Sequence, residues 1–334
     1  MEWEDSPRGS ATPPGKAANR PRKGADKGTS SQLSSSTPHE NRWSISGAIA
    51  ACLQARDAAR NYGPGERASG TVVPTDSIPA AIRSVLDATY GTTSEFHIEL
   101  PSPGQLRARK LIGRSRRIMT GKYPSWKMGQ MLHWESRQEA AVFRLLDACP
   151  AISRFAEQPF TIHYFDGICW RSHVPDLLVQ TCFGDYWILE IKSRWDRHLA
   201  DAATRASRLA PMLSAYGCKY AVIDEAALCQ GKSIDVARQL IRHGRHMPTS
   251  KAHDEFVRIL SSKGALSKEH MAGLVIDGRY GMDIGANLVL HGYVSTNWSD
   301  LQAGKVIYQP LSGSNTQEAL EWLLHALGAT KRLS

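Results

Sequence analysis

The chain has 334 residues, 42% of them hydrophobic, with a formal net charge of +9. That is enough for one large domain or two ordinary ones with a substantial core. No apolar run approaches the roughly 20 residues needed to span a bilayer, and the acidic, polar start MEWEDSPRGS does not read as a secretory signal. The six cysteines include no CxxC pair, so they offer neither a zinc knuckle nor a disulfide framework. The expectation is a soluble cytoplasmic protein with reduced thiols and no membrane contact. The positive balance favours an acidic partner, nucleic acid first.

In chain order, residues 1–45 are rich in Ser, Pro, Gly, Lys and Arg and too poor in large apolar groups to offset the entropy of ordering. A disordered basic tail is expected there. Residues 46–100 read as a small helical preface, with helices over 46–61 and 79–89. Residues 101–134 contain no acidic side chain and carry Arg107, Arg109, Lys110, Arg114, Arg116, Arg117, Lys122 and Lys127, interleaved with Tyr123, Trp126 and Trp134. Cations neutralise phosphates and release counterions, and aromatic rings pack on sugars or bases, so DNA contact is expected; a solvated basic face is the alternative.

A helix over 135–147 follows, with Val142, Leu145 and Leu146 as its apolar stripe, Glu139 near the edge of that stripe and Pro150 as the stop. Alternation predicts strands at 160–165, 168–170, 177–179 and 186–192, then a helix over 199–214 and a last strand at 219–223. Domain boundaries are expected at 101–247 and 248–334. The last segment reads as helices at 252–262, 266–276 and 282–291, with Tyr293-Val294-Ser295 and Val306-Ile307-Tyr308 as a two-stranded wing, a winged-helix pattern. A final helix is expected over 316–327. His243 and His246 could share a helix face, but with no evident carboxylate partner a surface role is expected. His173, close to Asp176, could touch DNA, but a turn residue is expected; Asp224-Glu225 reads as a cap.

The chemistry-bearing constellation is Pro175-Asp176, thirteen residues, then Glu190-Ile191-Lys192. Glu190 and Lys192, two apart on a strand, share one face. If the two strands pair, Asp176 approaches Glu190. Carboxylates are the donors that hold Mg²⁺ while leaving waters in place, and such a metal acidifies its water and polarises a phosphoryl oxygen. Lys192 would orient the attacking water or neutralise developing charge. Glu139 could complete the metal site. Spacing alone leaves open a solvated Glu–Lys pair after a turn-forming Pro-Asp.

Longer motifs surround this set: Arg109-Lys110-Leu111-Ile112; Thr120-Gly121-Lys122-Tyr123-Pro124-Ser125-Trp126-Lys127-Met128-Gly129; Trp134-Glu135-Ser136-Arg137-Gln138-Glu139; and Phe155-Ala156-Glu157-Gln158-Pro159-Phe160. Together with Pro175-Asp176 and Glu190-Ile191-Lys192, the stretch 109–192 resembles the TnsA endonuclease subunit of heteromeric cut-and-paste transposases. The resemblance implies an α/β fold: a restriction-endonuclease-like PD-(D/E)xK core followed by a helical, winged-helix-like domain. It implies Mg²⁺-dependent cutting, with Mn²⁺ able to substitute, of double-stranded DNA at the 5′ ends of a transposon. The implied partners are a DDE transposase subunit and an AAA+ ATPase regulator, and the implied setting is the bacterial cytoplasm. By motif, Glu139 matches the helical acid, Asp176 the PD aspartate and Lys192 the catalytic lysine; Glu190 stands where some members carry a non-acidic residue. The first hundred residues match nothing in that family. A stand-alone restriction or repair nuclease, and an inert DNA-binding adaptor, are the competing expectations.

Overall fold

The computed structural model describes residues 96–101, 105–109, 119–193, 199–228 and 231–333. The expected basic tail and the preface helices over 46–61 and 79–89 lie outside the described residues. What is described is a mixed α/β structure.

Its centre is a four-stranded sheet. The strands are β4 (Ile152–Glu157), β7 (Leu177–Thr181), β8 (Tyr186–Lys192) and β9 (Cys218–Asp224), in that spatial order. The β4–β7 and β7–β8 pairs are antiparallel and β8–β9 is parallel. The crossover between β8 and β9 contains helix α2 (Leu199–Ser214), as a parallel pair requires. Helix α1 (Arg137–Ala148) covers the opposite face: its Val142, Phe143, Leu145 and Leu146 pack with Val179, Trp187, Leu189 and Ile191 in one core. Leu178, Ile188, Tyr220 and Val222 pack with Ala202, Leu209 and Leu213 of α2 in a second core. Both faces of the sheet are therefore dry, which explains the unbroken run Trp187-Ile188-Leu189.

Before the sheet, β1 (Phe96–Glu99) pairs with β5 (Thr161–Phe165), which pairs with β6 (Trp170–His173). The hairpin of β2 (Gly121–Ser125) and β3 (Gln130–Trp134) precedes α1. Gly121 is needed there, because a Cβ would lie 2.2 Å from the Trp134 ring.

The rest of the chain begins with the short α3 (Glu225–Leu228) and α4 (Ser233–Gly244), the second of which was not expected. Then come α5 (Ser250–Lys263), β10 (Leu266–Ser267), α6 (Lys268–Ala272) and a small hairpin of β11 (Val275–Ile276) and β12 (Arg279–Tyr280). Positive φ at Asp277 and Gly278 makes the tight turn of that hairpin. Helix α7 (Gly281–Leu290), β13 (Ser295–Thr296), a 3₁₀ turn (Trp298–Ala303), β14 (Ile307–Gln309), α8 (Asn315–Ala326) and α9 (Thr330–Leu333) complete the chain. β14 pairs with both β13 and β10. The expected helix over 266–276 is thus a strand, one short helix and the start of a hairpin. Trp298, within the expected wing loop, is buried and donates from its indole to Asn315 at 2.8 Å.

The core is continuous across the expected boundary near residue 247. Leu240 of α4, Phe256 of α5 and Leu288 of α7 belong to the same apolar cluster as α1 and the sheet. Gly244 lets α4 approach α7 closely: a Cβ there would lie 2.6 Å from the backbone at Ala286, and the Gly244 carbonyl accepts from Asn287 Nδ2 at 2.6 Å. Among the described residues no helix is long and apolar enough to cross a membrane. The described cysteines Cys149, Cys169, Cys182 and Cys218 are unpaired thiols.

Candidate active site

The register of the sheet brings the constellation together. Leu177 pairs with Leu189 across β7 and β8, so Asp176, one residue earlier, falls opposite Glu190. The Ile191 amide donates to Asp176 Oδ2 at 2.7 Å. Two backbone features fix this end of β7. The Gln158 amide donates to the Asp176 carbonyl at 2.9 Å, and Gln158 adopts φ +43°. That left-handed geometry costs a non-glycine residue on the order of 1–2 kcal/mol, and it is held in place because the Gln158 carbonyl also accepts from the Ala108 amide at 2.9 Å. The E-Q-P motif is thus the turn that seats Asp176.

Glu139 enters from the first turn of α1. Ser136 caps the helix, its hydroxyl accepting from the Glu139 amide at 3.1 Å. The Glu139 carboxylate returns to the Glu135 amide at 2.9 Å and the Ser136 hydroxyl at 3.0 Å, in the manner of a capping box. This geometry selects Glu139 over Glu135, which pairs instead with Arg109 on the surface. Burial, followed by the opposing charge of Asp176, pushes the Glu139 carboxyl up from 4.5 to about 7. Burial also raises the half-buried Asp176, from 3.8 to about 6, against the lowering effect of the Ile191 amide and Lys192. Two carboxyls close enough to oppose each other in a poorly solvated place form a charge pattern that a hard cation relieves.

Glu190 is different. It is completely buried, because α2 covers its face of the sheet. Arg205 of α2 forks onto both of its oxygens. The Tyr220 hydroxyl donates to Oε2 at 2.7 Å, Lys192 Nζ lies 3.2 Å from Oε1, and His173 Nε2 lies 3.4 Å from Oε2. Burial alone would raise this carboxyl, but Arg205, His173 and Tyr220 outweigh it and hold it down at about 2. Burial lowers His173 to about 4, so near neutral pH it touches Glu190 as a neutral ring. Among the described residues no group of three or more His, Cys, Asp or Glu is placed to hold a metal ion. Arg205 and Tyr220 carry no sequence signal as neighbours of Glu190, and the expectation for His173 places it near Asp176 without naming Glu190. The Phe160–Tyr164 alternation located the hairpin that carries His173, but nothing local marked its ring as facing Glu190.

The expected basic surface divides. Lys110, Arg114, Arg116 and Arg117 lie outside the described residues. Arg109 is exposed, bonded to Glu135 and, at 3.2 Å, to Gln158, and its charge reaches Asp176. Lys122 is exposed on β2. Lys127 corrects the expectation. It is buried, and its ammonium donates to the carbonyls of Leu146, Cys149 and Ile152 at 3.0, 2.6 and 2.7 Å, so it is not available to a phosphate. Tyr123 and Ser125 are also interior, both donating to the buried Asp147, and Trp126 is half-buried with its indole on the Asp147 carbonyl. The motif from Thr120 to Gly129 therefore pins a hairpin to the C-terminal end of α1. His243, expected without a carboxylate partner, pairs with Asp283 of α7 at 2.7 Å. Asp224 does cap the following turn, accepting from the Ala227 amide at 3.0 Å.

A scan against protein-family models finds no match to this chain, and a search of curated proteins finds no similar sequence.

Proposed function

We propose that the chain is a Mg²⁺-dependent DNA endonuclease of the PD-(D/E)xK type, which acts like a TnsA subunit at the 5′ ends of a transposon. The observation that carries this reading is the convergence of Asp176, Glu190-Ile191-Lys192 and Glu139 at one end of the central sheet, through the β7–β8 register and the first turn of α1. A sheet with α1 on one face and α2 on the other supports a restriction-endonuclease-like core. The helices α5, α6 and α7 with the sheet β10–β14–β13 support a winged-helix-like C-terminal part.

Glu139 and Asp176 would hold the ion, as two carboxyls both raised by burial, Glu139 also by the like charge of Asp176, suit a divalent cation ligated by one or two carboxylates. When bound, the ion supplies an acidified water and stabilises charge on the phosphate. The chain's own residues supply the remainder. The Ile191 amide orients Asp176. Lys192, beside Glu190 and one-fifth exposed, presents an ammonium to a phosphate oxygen or to the attacking water. Arg109 and Lys122 offer exposed cations for the flanking DNA backbone.

The test is strand cutting of duplex DNA carrying the element's ends, with Mg²⁺ and the partner transposase and ATPase, comparing wild type with Asp176→Asn. Wild type is expected to cut the 5′ strands, and the variant to be at least about 10²–10³-fold slower. Equal cutting by both would remove the assignment. Cutting by wild type without any partner would favour the stand-alone nuclease.

A further inference from the structure

We propose that Glu190 is a positioning residue and not a metal ligand: clamped by Arg205 and Tyr220, its carboxylate fixes where the ammonium of Lys192 sits. The inference rests on the nuclease reading above and changes the job assigned to one of its acids.

The geometry is one of saturation. A carboxylate offers about four lone-pair sites. At Glu190, Oε1 meets Arg205 and, at 3.2 Å, Lys192. Oε2 meets Tyr220 at 2.7 Å, Arg205 Nε at 3.2 Å and His173 at 3.4 Å. A metal could reach either oxygen only by breaking the Arg205 fork, the strongest kind of side-chain hydrogen bonding in proteins, at a residue with no exposure to solvent. The partners come from three separate elements, β6, β9 and α2, so the carboxylate is held from several directions.

Lys192 is the group that benefits. It lies two residues along the same strand, on the same face. A lysine ammonium sits on a flexible stem that samples many rotamers. An anchored counter-charge confines it before substrate arrives, which is how preorganised electrostatics lowers a barrier. Ligation is left to Asp176 and Glu139.

The experiment combines Mn²⁺ binding, read by the paramagnetic resonance of free ion, with cleavage of duplex DNA by the complete assembly. Expected for Glu190→Gln are a Mn²⁺ affinity within about threefold of wild type and a kcat lowered about 10–100-fold with little change in KM, the size of effect typical of residues that orient an active group. Asp176→Asn is expected to lose Mn²⁺ binding. Arg205→Ala is expected to lower kcat similarly, with Arg205→Lys recovering part of it. Tyr220→Phe, which removes only the hydroxyl that meets Glu190 and His173, guards against a Glu190 variant that fails to fold and should lower kcat several-fold with Mn²⁺ binding intact. Loss of Mn²⁺ affinity in a folded Glu190→Gln, matching Asp176→Asn, would make Glu190 a ligand and overturn the inference while the nuclease stands, whatever Tyr220→Phe does. Wild-type cutting by Glu190→Gln would overturn it as well. If wild type neither binds Mn²⁺ nor cuts, the nuclease reading and this inference fall together.

Discussion

Helix α1 carries a buried acid at each end, and the two ends are built to opposite rules. At the C-terminal end, Asp147 has no solvent exposure, and its oxygens receive Ser125 at 2.6 Å, Tyr123 at 2.8 Å and the Trp126 amide at 3.3 Å. Lys127 beside it is bonded to three carbonyls. At the N-terminal end, Glu139 keeps its capping hydrogen bonds but lies within electrostatic reach of Asp176, an acid like itself, and both are displaced toward the protonated form. Buried polar groups normally end up matched. A matched cluster stabilises the fold. A cluster of like charges held in place by the rest of the structure is a functional-site candidate, and the contrast says where to look for chemistry more firmly than the charges do by themselves.

The largest expected effect breaks the matched end. Lys127→Ala takes one donor from each of three interior carbonyls and removes the counter-charge of Asp147, a change expected to cost about 3–5 kcal/mol. Denaturant unfolding measures it. A loss below about 1 kcal/mol would mean that water reaches those carbonyls and that the cluster does not lock the β2–β3 hairpin to α1.

The unmatched end should respond with the opposite sign. Asp176→Asn keeps an acceptor for the Ile191 amide and removes the charge that opposes Glu139. Without divalent cation at pH 8, the variant should be more stable by about 1 kcal/mol, the usual direction when a site residue is neutralised. The pH dependence follows from the same pair. Between pH 4.5 and about 7 the folded chain retains a proton on Glu139 that the unfolded chain has released. Stability due to this group therefore falls as pH rises through that window, by at most about 1.4 kcal/mol per unit, and levels off above it. Glu190 works in reverse. Its carboxyl is held at about 2, so its contribution is present above 4.5 and lost as pH drops toward 2. Thermal unfolding from pH 3 to 8 should rise and then fall, and Asp176→Asn should flatten the falling limb. An unchanged limb would mean that the two acids do not interact.

How much of this was legible in the residues depended on range. The strands Leu177–Thr181 and Tyr186–Lys192 and helix α1 announce themselves through local periodicity and caps, and the pairing of Asp176 with Glu190 follows from one short turn. The partners of Glu190 do not. Arg205 looks like any cation on an amphipathic helix until the crossover lays α2 over that face, and Tyr220 is thirty residues from the acid it binds. Helix α4 escaped notice because its apolar positions Val236, Ala237 and Leu240 follow a strand and short turn that read as the end of the domain. Lys127 misled for a plainer reason: in a segment without acids, each lysine reads as surface, and its true partners are carbonyls, which every sequence has.

Lys122 and Lys127 turn that error into the smallest and sharpest comparison. They lie five positions apart in one basic segment, one exposed and one interior. If the exposed face of the β2–β3 hairpin meets the DNA backbone, Lys122→Ala removes one phosphate contact. The slope of log affinity against log salt should then flatten by about 0.9, with no change in unfolding midpoint. Lys127→Ala should do the reverse: a lowered midpoint and, in whatever fraction remains folded, an unaltered slope. Fluorescence anisotropy on a short duplex between 50 and 200 mM salt resolves a difference of that size. Equal slopes for wild type and Lys122→Ala would take this hairpin out of the DNA interface and leave Arg109 and the cations outside the described residues to account for binding.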